Sequence, residues 1–136
     1  MDRQKFQQGL KDGLPICLGY FPVSFAYGMS VVLSGMPAWA AVLISLTNLT
    51  SAGQFAGSSL MLAGGSYLEI AVTTVVINIR YFLMSLAMSQ KTDKKMTWIQ
   101  RLLVSFGITD EIFAVSMQAE GKLTASYMAG LILTPV

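Results

Sequence analysis

The chain has 136 residues, 54% of them hydrophobic and 12% charged, with a net charge of +2 and a mean hydropathy of +0.59. A soluble domain carries about 25% charged residues, so this composition points to an integral membrane protein. Histidine is absent and Cys17 is the single cysteine, which excludes an internal disulfide and a His or Cys metal centre; no basic run with interleaved aromatics supports nucleic-acid binding.

Residues 1–12 read as a polar N-terminal tail. Phe6 and Leu10, four apart, would rest on the membrane surface while Arg3, Lys5 and Lys11 face water. Residues 13–136 then form one membrane domain, with apolar segments near 14–33, 39–62, 70–88, 98–118 and 125–136. A helical span needs about 20 apolar residues, a length the first three approach or meet. The first segment opens at Pro15, a residue tolerated in a first helical turn, whereas Pro22 inside it should kink the helix or free a carbonyl. Its apolar region outruns the roughly 7–15 residues of a signal peptide, so it reads as a retained helix. Cys17 within it is a small buried hydrophobe. Gly35, Met36 and Pro37 form a turn signal, after which Trp39 suits the membrane interface. The fifth segment is too short to span, and the chain is expected to stop within it. The fold class is therefore all-α, a polytopic membrane helix bundle.

No residue in 13–68 is charged, yet 47–59 is packed with hydroxyls, amides and glycines. At helical spacing Thr47, Ser51, Gln54 and Ser58 share one face. Lipid offers those groups no partner, so they must meet other helices, a water-filled cavity or a solute. Gly53 and Gly57 allow close backbone approach or a local break. Two readings stand: a helix-packing face, or a broken, solute-facing segment. The third segment carries a similar stripe, Thr74, Asn78, Tyr81 and Ser85, with Arg80 on another face. An arginine near a helix centre costs at least about 2.5 kcal/mol in lipid unless it snorkels, pairs or faces water. Arg80 either snorkels to an interface or contacts an anion inside the bundle. Asp110 and Glu111 are as expensive in the fourth segment, unless they sit at an interface near the end of a shorter helix.

Charge also speaks to topology. Arg3, Lys5 and Lys11 mark the N-terminal side as cytoplasmic, and Lys91, Lys94, Lys95 and Arg101 mark the later loop likewise. Equal sidedness requires an even number of crossings between them, but three apolar segments intervene. The second segment is the expected non-crosser, re-entrant or discontinuous.

These residues resemble, in order, the AzlC-like branched-chain amino acid permease family. The matching stretches are Gly13-Leu14-Pro15 through Gly19-Tyr20-Phe21-Pro22, Phe25-Ala26-Tyr27-Gly28, Ser51-Ala52-Gly53-Gln54-Phe55-Ala56, Asn78-Ile79-Arg80-Tyr81 and Thr109-Asp110-Glu111-Ile112-Phe113-Ala114. The resemblance covers roughly the first three-fifths of a member. It implies export of valine, leucine or isoleucine across the plasma (inner) membrane, with a small AzlD-type membrane partner and no cofactor. Tyr81 departs from the histidine expected after the arginine, which puts a proton role there in doubt.

The leading expectation is a secondary transporter. A break at Gly53 and Gly57 would expose half-helix ends to a carboxylate, with Ser51, Gln54 and Asn78 adding hydrogen bonds and Arg80 pairing with the carboxylate or an acid. Asp110 or Glu111 would hold the ammonium group or carry a coupling proton. The alternative is a structural or accessory subunit whose polar stripes pack helices and dock a partner. Neither an H-E-x-x-H nor a G-x-S-x-G motif is present, so an enzyme is not expected.

Overall fold

A computed structural model describes residues 2–136. Among them are seven helices, α1 Arg3–Leu33, α2 Ala38–Thr47, α3 Ser51–Leu62, α4 Tyr67–Lys91, α5 Trp98–Phe106, α6 Asp110–Gln118 and α7 Ala125–Leu133, and no strand. The fold is all-helical. Two of the helices, α1 with 31 residues and α4 with 25, are long and apolar enough to cross a membrane. At about 1.5 Å per residue they reach roughly 46 and 37 Å, more than the ~30 Å hydrocarbon core. Val75, Val76, Ile79, Phe82 and Leu83 of α4 are 63–70% exposed, an outward face suited to lipid.

Three boundaries differ from the sequence expectation. Helix α1 begins at Arg3 and continues through residue 12, so Pro15 lies well inside it rather than in its first turn. The segment 39–62 is carried by two helices, α2 and α3, and the interruption falls at residues 48–50, not between Gly53 and Gly57. The segment 98–118 is likewise two helices, with residues 107–109 between α5 and α6.

The chain divides into two compact units, Phe21–Arg80 and a second formed by the residues up to Tyr20 with Tyr81–Val136. The unit Phe21–Arg80 has Tyr27, Val31 and Ala41 at its core, with Met36, Ile44 and Phe55 against them. The Tyr27 and Phe55 rings meet edge to face, centroids 5.2 Å apart. Helices α1 and α3 end alike. Gly35 (φ +94°) and Gly64 (φ +76°) take the left-handed conformation, and the amides of Met36 and Gly65 reach back to the carbonyls of Val31 and Leu60. Glycine adopts that backbone without a Cβ penalty.

In the other unit Ile16, Met88, Ile108, Ile112, Leu123, Tyr127, Met128 and Leu131 form the core. The residues that read as a polar tail pack here. A Cβ on Gly9 would strike the Tyr127 carbonyl, one on Gly130 the Phe6 carbonyl, and one on Gly13 would lie 2.9 Å from the Thr134 Cβ. Small residues at these positions let the α1 and α7 backbones touch. The Tyr127 hydroxyl, 2.9 Å from Asp12 Oδ2, donates to that carboxylate. Residues 91–93 meet residue 123: Thr92 and Leu123 form an isolated parallel bridge, with Asp93 N–H donating to the Leu123 carbonyl (2.9 Å) and Leu123 N–H to that of Lys91 (3.0 Å). Lys91 therefore ends α4 rather than floating in a solvated loop. Its ammonium donates to the carbonyls of Ser116 (3.1 Å), Met117 (2.7 Å) and Ala119 (2.5 Å), closing the C-terminal end of α6 where its charge opposes the helix dipole.

Candidate substrate-binding site

The interruption at residues 48–50 gathers polar groups in an uncharged segment. Asn48 and Thr50 both have extended backbone, the first closing α2 and the second opening α3. Thr50 is a preferred N-cap type, yet its side chain makes no capping bond to the helix. Instead Thr50 Oγ1 lies 2.7 Å from Asn48 Oδ1 and 3.1 Å from the side-chain amide of Asn78. One hydroxyl carries one proton, so Thr50 donates to Asn48 and accepts from the Asn78 amide nitrogen, the two ends of that amide being exchangeable by a flip. Gln54 Nε2 donates to the Asn48 carbonyl at 2.6 Å, and Ser45 Oγ donates to Gln54 Oε1 at 3.4 Å. Gln54 thus ties α2 to α3 across the interruption.

Gly53 explains how the turn closes. A Cβ there would sit 2.5 Å from Asn48 Nδ2 and 2.7 Å from Thr50 Oγ1. At Gly57 a Cβ would meet nothing within 4 Å, so the pair does not act as one close-packing motif. The expected stripe is divided too. Thr47 belongs to α2, where its hydroxyl donates to the Leu43 carbonyl, while Ser51 opens α3 at its half-buried N-terminus. Ser58 is buried and donates to the Gln54 carbonyl at 2.7 Å. Close by, Tyr27 is 2% exposed, and its hydroxyl has no hydrogen-bond partner among the described residues.

The third-segment stripe also separates. Thr74 donates to the Ile70 carbonyl, and Asn78 meets Thr50. Tyr81 packs on the core of the other unit, where Ser85 lines a cavity of about 50 Å³ with Ser89, Thr92, Arg101 and Ser105. Arg80 occupies an exposed position midway along α4. Ser51, Gly53, Gln54, Asn78 and Arg80 thus share the unit Phe21–Arg80, whereas Asp110 and Glu111 lie in the other unit.

Those acids occupy the first turn of α6, after Thr109, whose side chain accepts from Ile112 N–H. The positive end of a helix is where a carboxylate is least costly, which answers the expense of two acids in an apolar segment. The Tyr20 hydroxyl lies 2.5 Å from Glu111 Oε2 and 2.7 Å from Thr109 Oγ1. A carboxylate only accepts, so Tyr20 gives its single proton to Glu111 and Thr109 gives its own to Tyr20. The result is an ordered chain from Thr109 through Tyr20 to the acid.

Asn48, Thr50, Tyr20 and Thr109 were missed as site residues from sequence. Their signal was local: a threonine followed by small or acidic residues within an apolar run is a helix start. Against known proteins, the family model for AzlC protein matches residues 15–136. The chain belongs to the AzlC family. This AzlC-family chain is 31% identical over 111 residues to the inner membrane protein YgaZ of Escherichia coli, covering 82% of the chain and 45% of that protein. An uncharacterized membrane protein of Archaeoglobus fulgidus is 32% identical over 114 residues, 84% of the chain and 49% of the relative. One of Helicobacter pylori is 29% identical over 115 residues, 82% and 50%. The chain spans about half the length of these relatives. No solved structure matches it. Family, relatives and apolar helices agree that this is a membrane protein.

Proposed function

We propose that the chain is a transporter subunit that moves branched-chain amino acids, valine, leucine and isoleucine, across the plasma membrane. It works as a multi-pass secondary exporter, with a cytoplasmic N-terminus and a small AzlD-type membrane partner. The observation that carries this reading is the interruption at residues 48–50, where the carbonyl end of α2 meets the N–H end of α3 in a stretch without charge. A zwitterion has matching needs. Its carboxylate suits the N-terminus of α3, which lacks a side-chain cap, its ammonium suits the carbonyl end of α2, and its zero net charge suits an uncharged segment. Ser51, Gly53, Gln54 and Asn78 frame that position, with Arg80 as a further carboxylate contact. Asp110 and Glu111 carry the coupling proton or an ion pair. The surrounding apolar side chains accept a branched aliphatic chain.

The test is efflux of labelled valine, leucine and isoleucine from cells producing the full-length protein with and without a candidate partner. Asn78→Ala and Asp110→Asn should each lower efflux tenfold or more at unchanged membrane abundance; undiminished efflux in both would end the assignment.

A second reading has its own observation. Thr50, Asn48, Gln54 and Asn78 bond to one another, as they would in a face that merely packs helices. In an accessory subunit the same variants would lose complex assembly, and any complex still assembled would transport normally.

A further inference from the structure

We infer that the chain is a tandem duplication of one unit, a membrane-crossing helix followed by an interrupted helix pair, and that the two copies enter the membrane with opposite orientation. The duplication is written in the sequence. Helix α1 carries Tyr20-Phe21-x-x-Ser24-x-Ala26 and α4 carries Tyr81-Phe82-x-x-Ser85-x-Ala87. Met36 precedes the N-cap Pro37 of α2 as Met96 precedes the N-cap Thr97 of α5. Trp39 leads to Leu49-Thr50, and Trp98 leads to Ile108-Thr109 at the same spacing.

The structure repeats with it. Each long helix is followed by a short helix, three linking residues and a second short helix opened by an extended threonine, Thr50 or Thr109. The boundaries between the two compact units, after Tyr20 and after Arg80, fall on the two copies of the Tyr-Phe motif.

Orientation follows from the second copy. The bridge between Thr92 and Leu123 and the reach of Lys91 to the end of α6 bring the two ends of segment 98–118 together. Its half-helices of nine residues are about 13–14 Å long, under half the ~30 Å core, so the segment goes in and returns. That copy crosses once, through α4. A first copy built alike also crosses once, through α1. Because one crossing is odd, the second copy starts from the opposite face. Basic residues agree, since Arg3, Lys5 and Lys11 then share a side with Lys91, Lys94, Lys95, Arg101 and Lys122. Thr50 and Thr109 become equivalent positions approached from opposite faces, one in a neutral link and one followed by two acids. Their roles in transport rest on the proposed function; their sidedness does not.

The test is labelling by a membrane-impermeant maleimide, on intact cells and on inside-out vesicles. Single cysteines are placed at Ser34, Ala63, Gln90 or Glu120 of the full-length protein carrying Cys17→Ser. Each variant is also labelled in detergent, so a position unreactive there is replaced by its neighbour. Ser34→Cys and Ala63→Cys should react from one side, and Gln90→Cys and Glu120→Cys from the other. A split within either pair, or all four on one side, overturns the inverted duplication.

Discussion

At Gly53 the usual arithmetic of glycine in a helix is reversed. Alanine is favoured over glycine inside a helix by about 0.8–1 kcal/mol, so Gly→Ala on an open face should stabilise. Gly57 is such a face, with nothing within 4 Å of a new Cβ. Gly53 is not, because the Asn48 amide occupies that space at 2.5 Å. Gly57→Ala should therefore raise thermal stability in detergent and leave efflux unchanged. Gly53→Ala should show no stability gain and lose efflux tenfold or more, because Asn48 and Thr50 must move. If the two variants behave alike, the link at 48–50 is not the working part. Both glycines were legible as unusual in the sequence. Their difference was not, since it depends on how a side chain five residues earlier folds back.

At the scale of elements, periodicity identified every apolar segment but not the interruptions inside two of them. A run such as 98–118 is apolar throughout, and its period does not change at Gly107. What stops α5 and starts α6 is local capping by Thr109, together with bonds from Tyr20, 89 residues away in the chain, and from Lys91. Such long-range partners leave no trace in hydrophobic spacing. The polar start of α1 misled for a related reason: Gly9 and Gly13 pack against Gly130, a residue in the last helix. Two predictions belong here. Gly9→Ala would press a methyl group on the Tyr127 carbonyl, and overpacking of this kind costs about 1–3 kcal/mol, read as a lower unfolding midpoint. Lys91→Met would leave the carbonyls at the end of α6 without their charged donor. The expected loss is about 1–3 kcal/mol, with Lys91→Arg recovering part of it in the same unfolding measurement.

At the scale of the whole molecule, a secondary transporter must both exchange solute and couple its net flow to an ion. These demands separate experimentally. Counterflow in proteoliposomes, with solute on both sides, requires that the loaded carrier reorient. Net flow driven by a proton gradient further requires a group that changes protonation between the two orientations. Glu111 is suited to that second task because it is exposed at the start of α6 and its carboxylate accepts from Tyr20, which in turn accepts from Thr109. Losing the negative charge while keeping shape and hydrogen bonding should therefore uncouple rather than disable. Glu111→Gln, reconstituted with the partner, is expected to retain valine counterflow within about threefold while gradient-driven flux falls tenfold or more, the direction set by losing a titrating site rather than a fold contact. Tyr20→Phe removes the donor but leaves the carboxylate, so it should shift the pH at which gradient-driven flux is half-maximal and leave counterflow intact. Loss of counterflow in both variants would instead assign the Tyr20, Thr109 and Glu111 chain to holding α6 in place, with proton coupling sought at Asp110.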